Sequence, residues 1–226
     1  MADDARSGQR IAVLVSGTGT NLEALVDATD RDPRFGGHIV VVASDEPTCH
    51  GLALARQVGI PTVAVALSDH PDRPSWEHAL MEAIRVHEPS LVVLAGFMRL
   101  LSPWFLARWP DAIVNVHPSL LPAFPGAHAV RDALAHGVKV TGTTIHLVDE
   151  EVDHGPIIAQ RAVEVAADDD ETSLHERIKA EEHELLPAVV KLLCHRRVAV
   201  EGRRTRILPT ADAAALTTLD TEGAGR

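Results

Sequence analysis

A strand that runs through a glycine turn directly into a helix constrains this chain more than any other feature. Residues 10–16 read RIAVLVS, Gly17-Thr18-Gly19 follows, and Asn21-Leu22-Glu23-Ala24-Leu25-Val26 opens an amphipathic helix. An apolar run without polar alternation marks a strand covered on both faces, and such strands belong to parallel sheets whose crossovers are helices. The pattern recurs: strands are predicted at 38–43, 62–66 and 91–95, with helices at 49–57 and 75–87 between them. Repeated βαβ units with right-handed crossovers imply an α/β fold with a doubly wound, mostly parallel sheet. At 226 residues, 46% hydrophobic and 23% charged, the chain suits a single domain. Its core is expected at about 10–195, with flexible ends at 1–9 and about 210–226.

The second half changes character. A helix at 127–136 leads to two long β-type runs, 138–148 and 156–165, separated by the acidic segment 149–154. This predicts a late antiparallel extension of the sheet. Ser173 and Glu176 have capping-box spacing, and Leu174, Ile178, Leu185, Val189 and Leu193 form a helical stripe to about Cys194, with a kink expected at Pro187. The acidic run 168–171 reads as a helix entrance favoured by the dipole. Residues 198–200 and 205–208 flank Gly202 as a small hairpin.

A net charge of -11 argues against nucleic acid or an anionic membrane as partner, because both select basic surfaces. No apolar run approaches the roughly 20 residues of a membrane span. Cys49 and Cys194 lie far apart with no signal-like start, which fits inert thiols in a reducing cytoplasm. Thirteen histidines include no HExxH or CxxC-type ligand cluster, so no metal is expected. The elbow motif of serine hydrolases is also missing.

The chemistry concentrates at Asn115-Val116-His117-Pro118. Residues 111–114 read as a buried strand, and Pro118 and Pro122 end it, so the amide and the imidazole sit at a carboxyl end and point to the same side. Ligands of open α/β sheets bind there. An amide donor can stabilise a tetrahedral oxyanion while a histidine manages the proton. Asp153, before the Gly155-Pro156 turn, is the candidate carboxylate, expected to raise the His117 pKa towards neutrality. A capping asparagine and a satisfied polar histidine are the plain alternative. Ser16-Gly17-Thr18-Gly19-Thr20-Asn21 lacks the third small residue of a dinucleotide fingerprint and the lysine of a P-loop, so it suits a single phosphate, or else is a βα turn capped by Thr20 or Asn21. His146 interrupts an apolar strand and reads either as functional or as facing solvent.

Five segments, VLVSGTGTNL, VVLAGFMRLLSP, NVHPSLLPAFPGAHAVRDAL, TGTTIHLVDEEVDHGPIIAQ and ERIKAEEHELLP, cover roughly residues 10–190 in order and resemble the folate-dependent formyltransferases. The resemblance implies a Rossmann-like fold and transfer of a formyl group from 10-formyltetrahydrofolate to the glycinamide amine of a ribose 5-phosphate, as in purine synthesis. It implies Asn115 and His117 as the catalytic pair, with Asp153 tuning the histidine and relaying protons through water. Gly19, Thr20 and Asn21 match a phosphate loop. Lys179 and Glu182, three apart on one helix face, match grips for the phosphate and for the ribose or glycinamide. The folate would lie against Met98, Arg99, Leu100 and Leu101, with Asn115 and Asp149, Glu150, Glu151, Val152 and Asp153 on its other flank and Arg73 near its glutamate tail. Thr20 stands in place of serine, Lys179 in place of glutamine, and His154 in place of a small residue; His154 is expected to face solvent.

The small-molecule reading competes with three others. Methionyl-tRNA formyltransferase would add a carboxyl-terminal domain and a basic surface. A formyltetrahydrofolate hydrolase would place a regulatory domain before the first strand, which is expected to start at Arg10. A phosphate-binding module needs only the glycine loop. The expected assembly is a monomer or homodimer.

Overall fold

The computed structural model describes residues 8–209; of the expected loose ends, 1–9 and about 210–226, residues 1–7 and 210–226 lie outside them. Its elements are β1 (Gln9–Val15), α1 (Thr20–Arg31), β2 (Gly37–Ser44), α2 (His50–Gln57), β3 (Thr62–Ala64), a 3-10 turn (Leu67–Asp69), α3 (Arg73–Arg85) and β4 (Leu91–Leu94). They continue with α4 (Pro103–Leu106), β5 (Ile113–His117), α5 (Ala129–His136), β6 (Val140–Leu147), β7 (Ile157–Glu164), α6 (Glu171–Cys194), β8 (Val198–Glu201) and β9 (Arg204–Ile207).

The main sheet has the order β3-β2-β1-β4-β5-β6-β7. The first five strands in this order are parallel, whereas β6 runs antiparallel to β5 and β7 antiparallel to β6. The doubly wound sheet with a late antiparallel extension is therefore as expected. The strand order reverses direction between β1 and β4, and the crevice outside their carboxyl ends is where such sheets bind ligands.

The lack of alternation in β1 has a direct cause. Ile11, Val13 and Val15 face a core formed with Leu22 and Leu25 of α1, Leu52 of α2 and Leu186 and Val190 of α6. Ala12 and Leu14 face a second core with Trp76, Leu80 and Ile84 of α3 and with Phe105. Each fully buried leucine or isoleucine contributes about 1.5–3 kcal/mol, and both faces of the strand collect that burial.

Three local expectations need revision. Gln9, placed in the loose end, belongs to β1, where its N–H donates to Gly36 O at 2.9 Å. The capping box of α6 lies one turn earlier than Ser173–Glu176: Asp170 is the N-cap, Ser173 N–H donates to its Oδ1 at 2.8 Å, and Asp170 N–H donates to Ser173 Oγ at 3.0 Å. An aspartate three residues before a serine closes both halves of that box. The helix then runs on through the buried Pro187 as one element. The third closes an alternative left open for His146: the solvent-facing reading is set aside, since from Thr141 to Leu147 every residue of β6 is buried.

Candidate active site

Strand register brings the chemistry together. In the β5/β6 ladder Asn115 lies opposite His146 and His117 opposite Thr144. Buried threonines of β6 then hold the chain that follows β5. Thr143 Oγ1 donates to His117 O at 3.3 Å, Thr144 Oγ1 donates to Ser119 O at 2.7 Å, and Leu121 N–H donates to Thr144 Oγ1 at 3.1 Å. With the strand end fixed in this way, Asn115 and His117 line one cavity of about 220 Å³.

His146 is 2% exposed and orients the amide. Its Nδ1–H donates to Leu147 O at 2.8 Å, which leaves Nε2 as an acceptor. Asn115 Nδ2 donates to that Nε2 at 3.2 Å and to Asp153 Oδ1 at 3.4 Å. The second contact is long, so the amide is held firmly by His146 and loosely by Asp153.

Asp153 meets His117. Its Oδ2 lies 3.3 Å from His117 Nδ1 and accepts from Gly126 N–H at 2.7 Å. His117 Nε2–H donates to Phe124 O at 2.9 Å. That bond fixes the tautomer, because a carbonyl only accepts. Nδ1 of the neutral ring therefore presents a lone pair towards the carboxylate, and the 3.3 Å gap is longer than a charge-assisted bond. Phe124 and Asp153 hold left-handed backbone angles, φ 52° and 51°, which the surrounding contacts must maintain.

The pKa shifts follow from this packing. Burial pushes His117 below its ordinary value; Asp153 and the Phe124 carbonyl pull upward but do not prevail. The expected rise is thus corrected to a fall, since desolvation of a ring 4% exposed outweighs its partner's charge. Burial would raise Asp153, yet the positive charge that the neighbouring His146 and His117 rings carry when protonated, together with the Gly126 N–H bond, holds its carboxyl below the usual range.

The predicted folate walls line the same cavity: Met98, Arg99, Leu100 and Leu101 on one side and residues 149–153 on the other. Arg99 is anchored by Nε donation to Asp45 Oδ2 at 2.6 Å, and Ser16 Oγ donates to Asp45 Oδ1 at 2.6 Å. Arg73 does not line the cavity; it supports the wall by donating to Leu100 O. His154 is exposed as expected, but it is engaged by Asp149 and Arg203 rather than free.

The glycine loop takes its form from close backbone approach. Gly19 has φ +79°, and a Cβ there would sit 2.6 Å from Gly51 Cα. It is the N-cap of α1, and no side chain caps this helix, so the Thr20 and Asn21 capping readings are set aside. The first intrahelical bond runs from Glu23 N–H to Gly19 O, leaving the N–H groups before it open to an anion. Asn21 instead donates from Nδ2 to Glu182 Oε2 at 2.7 Å, tying α6 to the loop. Glu182 is 4% exposed and burial raises its pKa. Lys179, beside it, pairs with Glu176 at 2.9 Å. A larger depression of about 430 Å³ between α1 and α6 contains Thr20 and His183 but none of Asn115, His117 and Asp153.

Phe124, Gly126, Asp45 and Arg203 are contributors that sequence reasoning missed. Three act wholly or partly through backbone atoms or loop neighbours; only the Pro125-Gly126 turn left a sequence signal. Among the described residues no group of three or more His, Cys, Asp or Glu is disposed to hold a metal ion, and no helix is long and apolar enough to cross a membrane.

An amide, an imidazole and a carboxylate converging at the carboxyl ends of parallel strands make this an α/β enzyme of group transfer. Residues 9–190 match the formyl transferase family model. The chain is 50% identical over 194 residues to a phosphoribosylglycinamide formyltransferase of Mycobacterium tuberculosis, covering 86% of this chain and 89% of that protein. It is 41% identical over 180 residues to the Escherichia coli enzyme of the same name, covering 80% and 84% respectively. The crystal structure of glycinamide ribonucleotide transformylase 1 from Symbiobacterium toebii superposes with a TM-score of 0.87 at 45% identity, over 90% of this chain and 95% of that one. The chain belongs to the formyl transferase family.

Proposed function

We propose that this enzyme transfers the formyl group of 10-formyltetrahydrofolate to the glycinamide amine of 5-phosphoribosylglycinamide in purine synthesis, working in the cytoplasm as a monomer or homodimer. The observation that carries the reading is the 3.3 Å approach of Asp153 Oδ2 to His117 Nδ1 in the wall of one cavity. The folate occupies that cavity, between residues 98–101 and 149–153. The acceptor phosphate lies on the open N–H groups after Gly19. β1 and β5 flank β4, so the loop and the catalytic pair stand about two strand spacings apart, roughly 10 Å. A ribose and a glycinamide arm span such a distance, with Asn21, Lys179 and Glu182 along the path.

In the reaction the amine nitrogen bonds to the formyl carbon, the bond from that carbon to the folate N10 breaks, and the amine proton passes to N10. Asn115 turns an amide hydrogen to the oxyanion, exchanging its 3.4 Å contact with Asp153 for a shorter, charge-assisted bond. His117 is the proton carrier. Burial keeps the resting ring neutral, the Phe124 carbonyl holds the proton of Nε2, and Nδ1, whose lone pair faces Asp153, receives the proton released by the amine by way of that carboxylate. The imidazolium so formed faces the Asp153 carboxylate, which stabilises it until the proton moves on to the leaving nitrogen.

An absorbance assay with 10-formyltetrahydrofolate, run with and without the ribonucleotide acceptor, tests the reading. Turnover that requires both substrates is expected. Consumption of the folate without the amine would instead identify a hydrolase, and binding without turnover a non-catalytic module.

A further inference from the structure

Asp153 rides on the loop between β6 and β7, and the support for that loop comes from outside the catalytic cavity. Residues 151–153 form a partition: the cavity with Asn115 and His117 is on one side, and a second cavity of about 240 Å³, floored by Leu121, Pro122 and Ile157, is on the other. A partition open on both faces needs a brace. His154, next in sequence, turns away from the catalytic side. Its Nδ1 lies 2.8 Å from Asp149 Oδ2 at the start of the loop, while Arg203 Nη2 donates to His154 O at 2.6 Å. Arg203 Nη1 also lies 2.9 and 2.8 Å from the two ring nitrogens of His154.

Arg203 sits in the turn between β8 and β9, a separate two-stranded sheet seated on β7 by Thr205 Oγ1 donating to Ile157 O at 2.7 Å. At the loop's far end Gly155 packs so tightly that a Cβ would lie 1.9 Å from Leu147 O. The left-handed backbone of Asp153 is thus followed at once by two fixed points, His154 held by an arginine from a remote hairpin and Gly155 held by close packing. We infer that Arg203 is a positioning residue: the terminal hairpin clasps the loop through Arg203 and His154, and so sets both the Asp153–His117 contact and the loop wall that meets the formyl donor. The inference rests on the proposed roles of Asp153 and the donor cavity.

Arg203→Met keeps the aliphatic stem and removes the clasp; Arg203→Lys retains one donor. With Arg203→Met, kcat/KM for the formyl donor is expected to fall about tenfold to a hundredfold, the scale of a misplacement near 1 Å. The KM for the ribonucleotide acceptor should hold, and the His117 titration followed by NMR should move to lower pH as Asp153 recedes. Arg203→Lys should recover part of both effects. A hairpin that merely stabilises the fold would lower the melting temperature with the titration and the KM ratio unchanged, and that result overturns the inference. A moved titration with unaltered turnover would uphold the clasp and refute the catalytic role of Asp153. Should Arg203→Met fold poorly, His154→Ala removes the ring half of the clasp and keeps the carbonyl half, so the titration and the donor KM should move in the same directions by less, and no movement in either would overturn the inference.

Discussion

Asp153→Asn removes the carboxylate charge while retaining an amide oxygen to accept from Gly126, so its effect is largely electrostatic. Coulomb's law for unit charges 3.3 Å apart gives about 1.3 kcal/mol in bulk water and about 5 kcal/mol at an effective dielectric of 20. His117 and Asp153 are both mostly buried, which places the loss between these limits. If the pair supports a transient imidazolium, kcat should fall by about tenfold to several-thousandfold, a span that overlaps the roughly hundredfold to ten-thousandfold typical of general acid–base catalysis. The sign for His117 follows from its surroundings: burial already holds it low and Asp153 opposes that fall. Without the carboxylate the ring should titrate at still lower pH. The acid limb of the rate profile should shift the same way while its plateau drops. NMR of the His117 ring through its titration, alongside steady-state rates, gives both readings. An unchanged titration midpoint, or a rate close to wild type, would refute the reasoning.

Three further outcomes are expected. Asn115→Ala should cut kcat by about a hundredfold to a thousandfold, as for loss of an oxyanion donor, and it should cost about 1–3 kcal/mol in thermal unfolding because His146 Nε2 is left buried without its donor. Gly19→Ala forces a Cβ to within 2.6 Å of Gly51 Cα at a φ of +79°, so it should lower the melting temperature and raise the KM for the acceptor far more than for the donor. Glu182→Gln keeps an acceptor for Asn21 but cannot ionise. Because the folded pKa of Glu182 is raised, its contribution is full below the ordinary value of 4.5 and is lost as pH rises through the folded value. The stability of Glu182→Gln relative to wild type should therefore climb as pH rises above about 4.5, and a flat difference would contradict the burial argument.

β1 shows why the fold was so legible: Ile11 to Val15 lie in two cores at once, and only a strand covered on both faces tolerates that run. Asn115 and His117 were legible for a related reason, since prolines stop the strand just beyond them. The faults lay where the outcome depends on neighbours distant in sequence. His146 reads as a polar break in an apolar strand, and only the β5/β6 register shows it beneath Asn115. The direction of the His117 shift turned on how deeply the ring is buried, which its partner's charge does not reveal. The carbonyl of Phe124 and the N–H of Gly126 carry no side-chain signal at all, and Arg203 meets His154 across 49 residues of chain.

The central claim is that two substrates meet at Asn115, His117 and Asp153 and that a one-carbon unit passes between them. The most direct measurement follows the carbon itself, in a single turnover with 10-formyltetrahydrofolate carrying a 13C-labelled formyl group and with the ribonucleotide amine in excess. The account predicts the label in a new formamide on the ribonucleotide, with the transfer lost in His117→Ala. Label recovered as free formate, or transfer undiminished in His117→Ala, would contradict it.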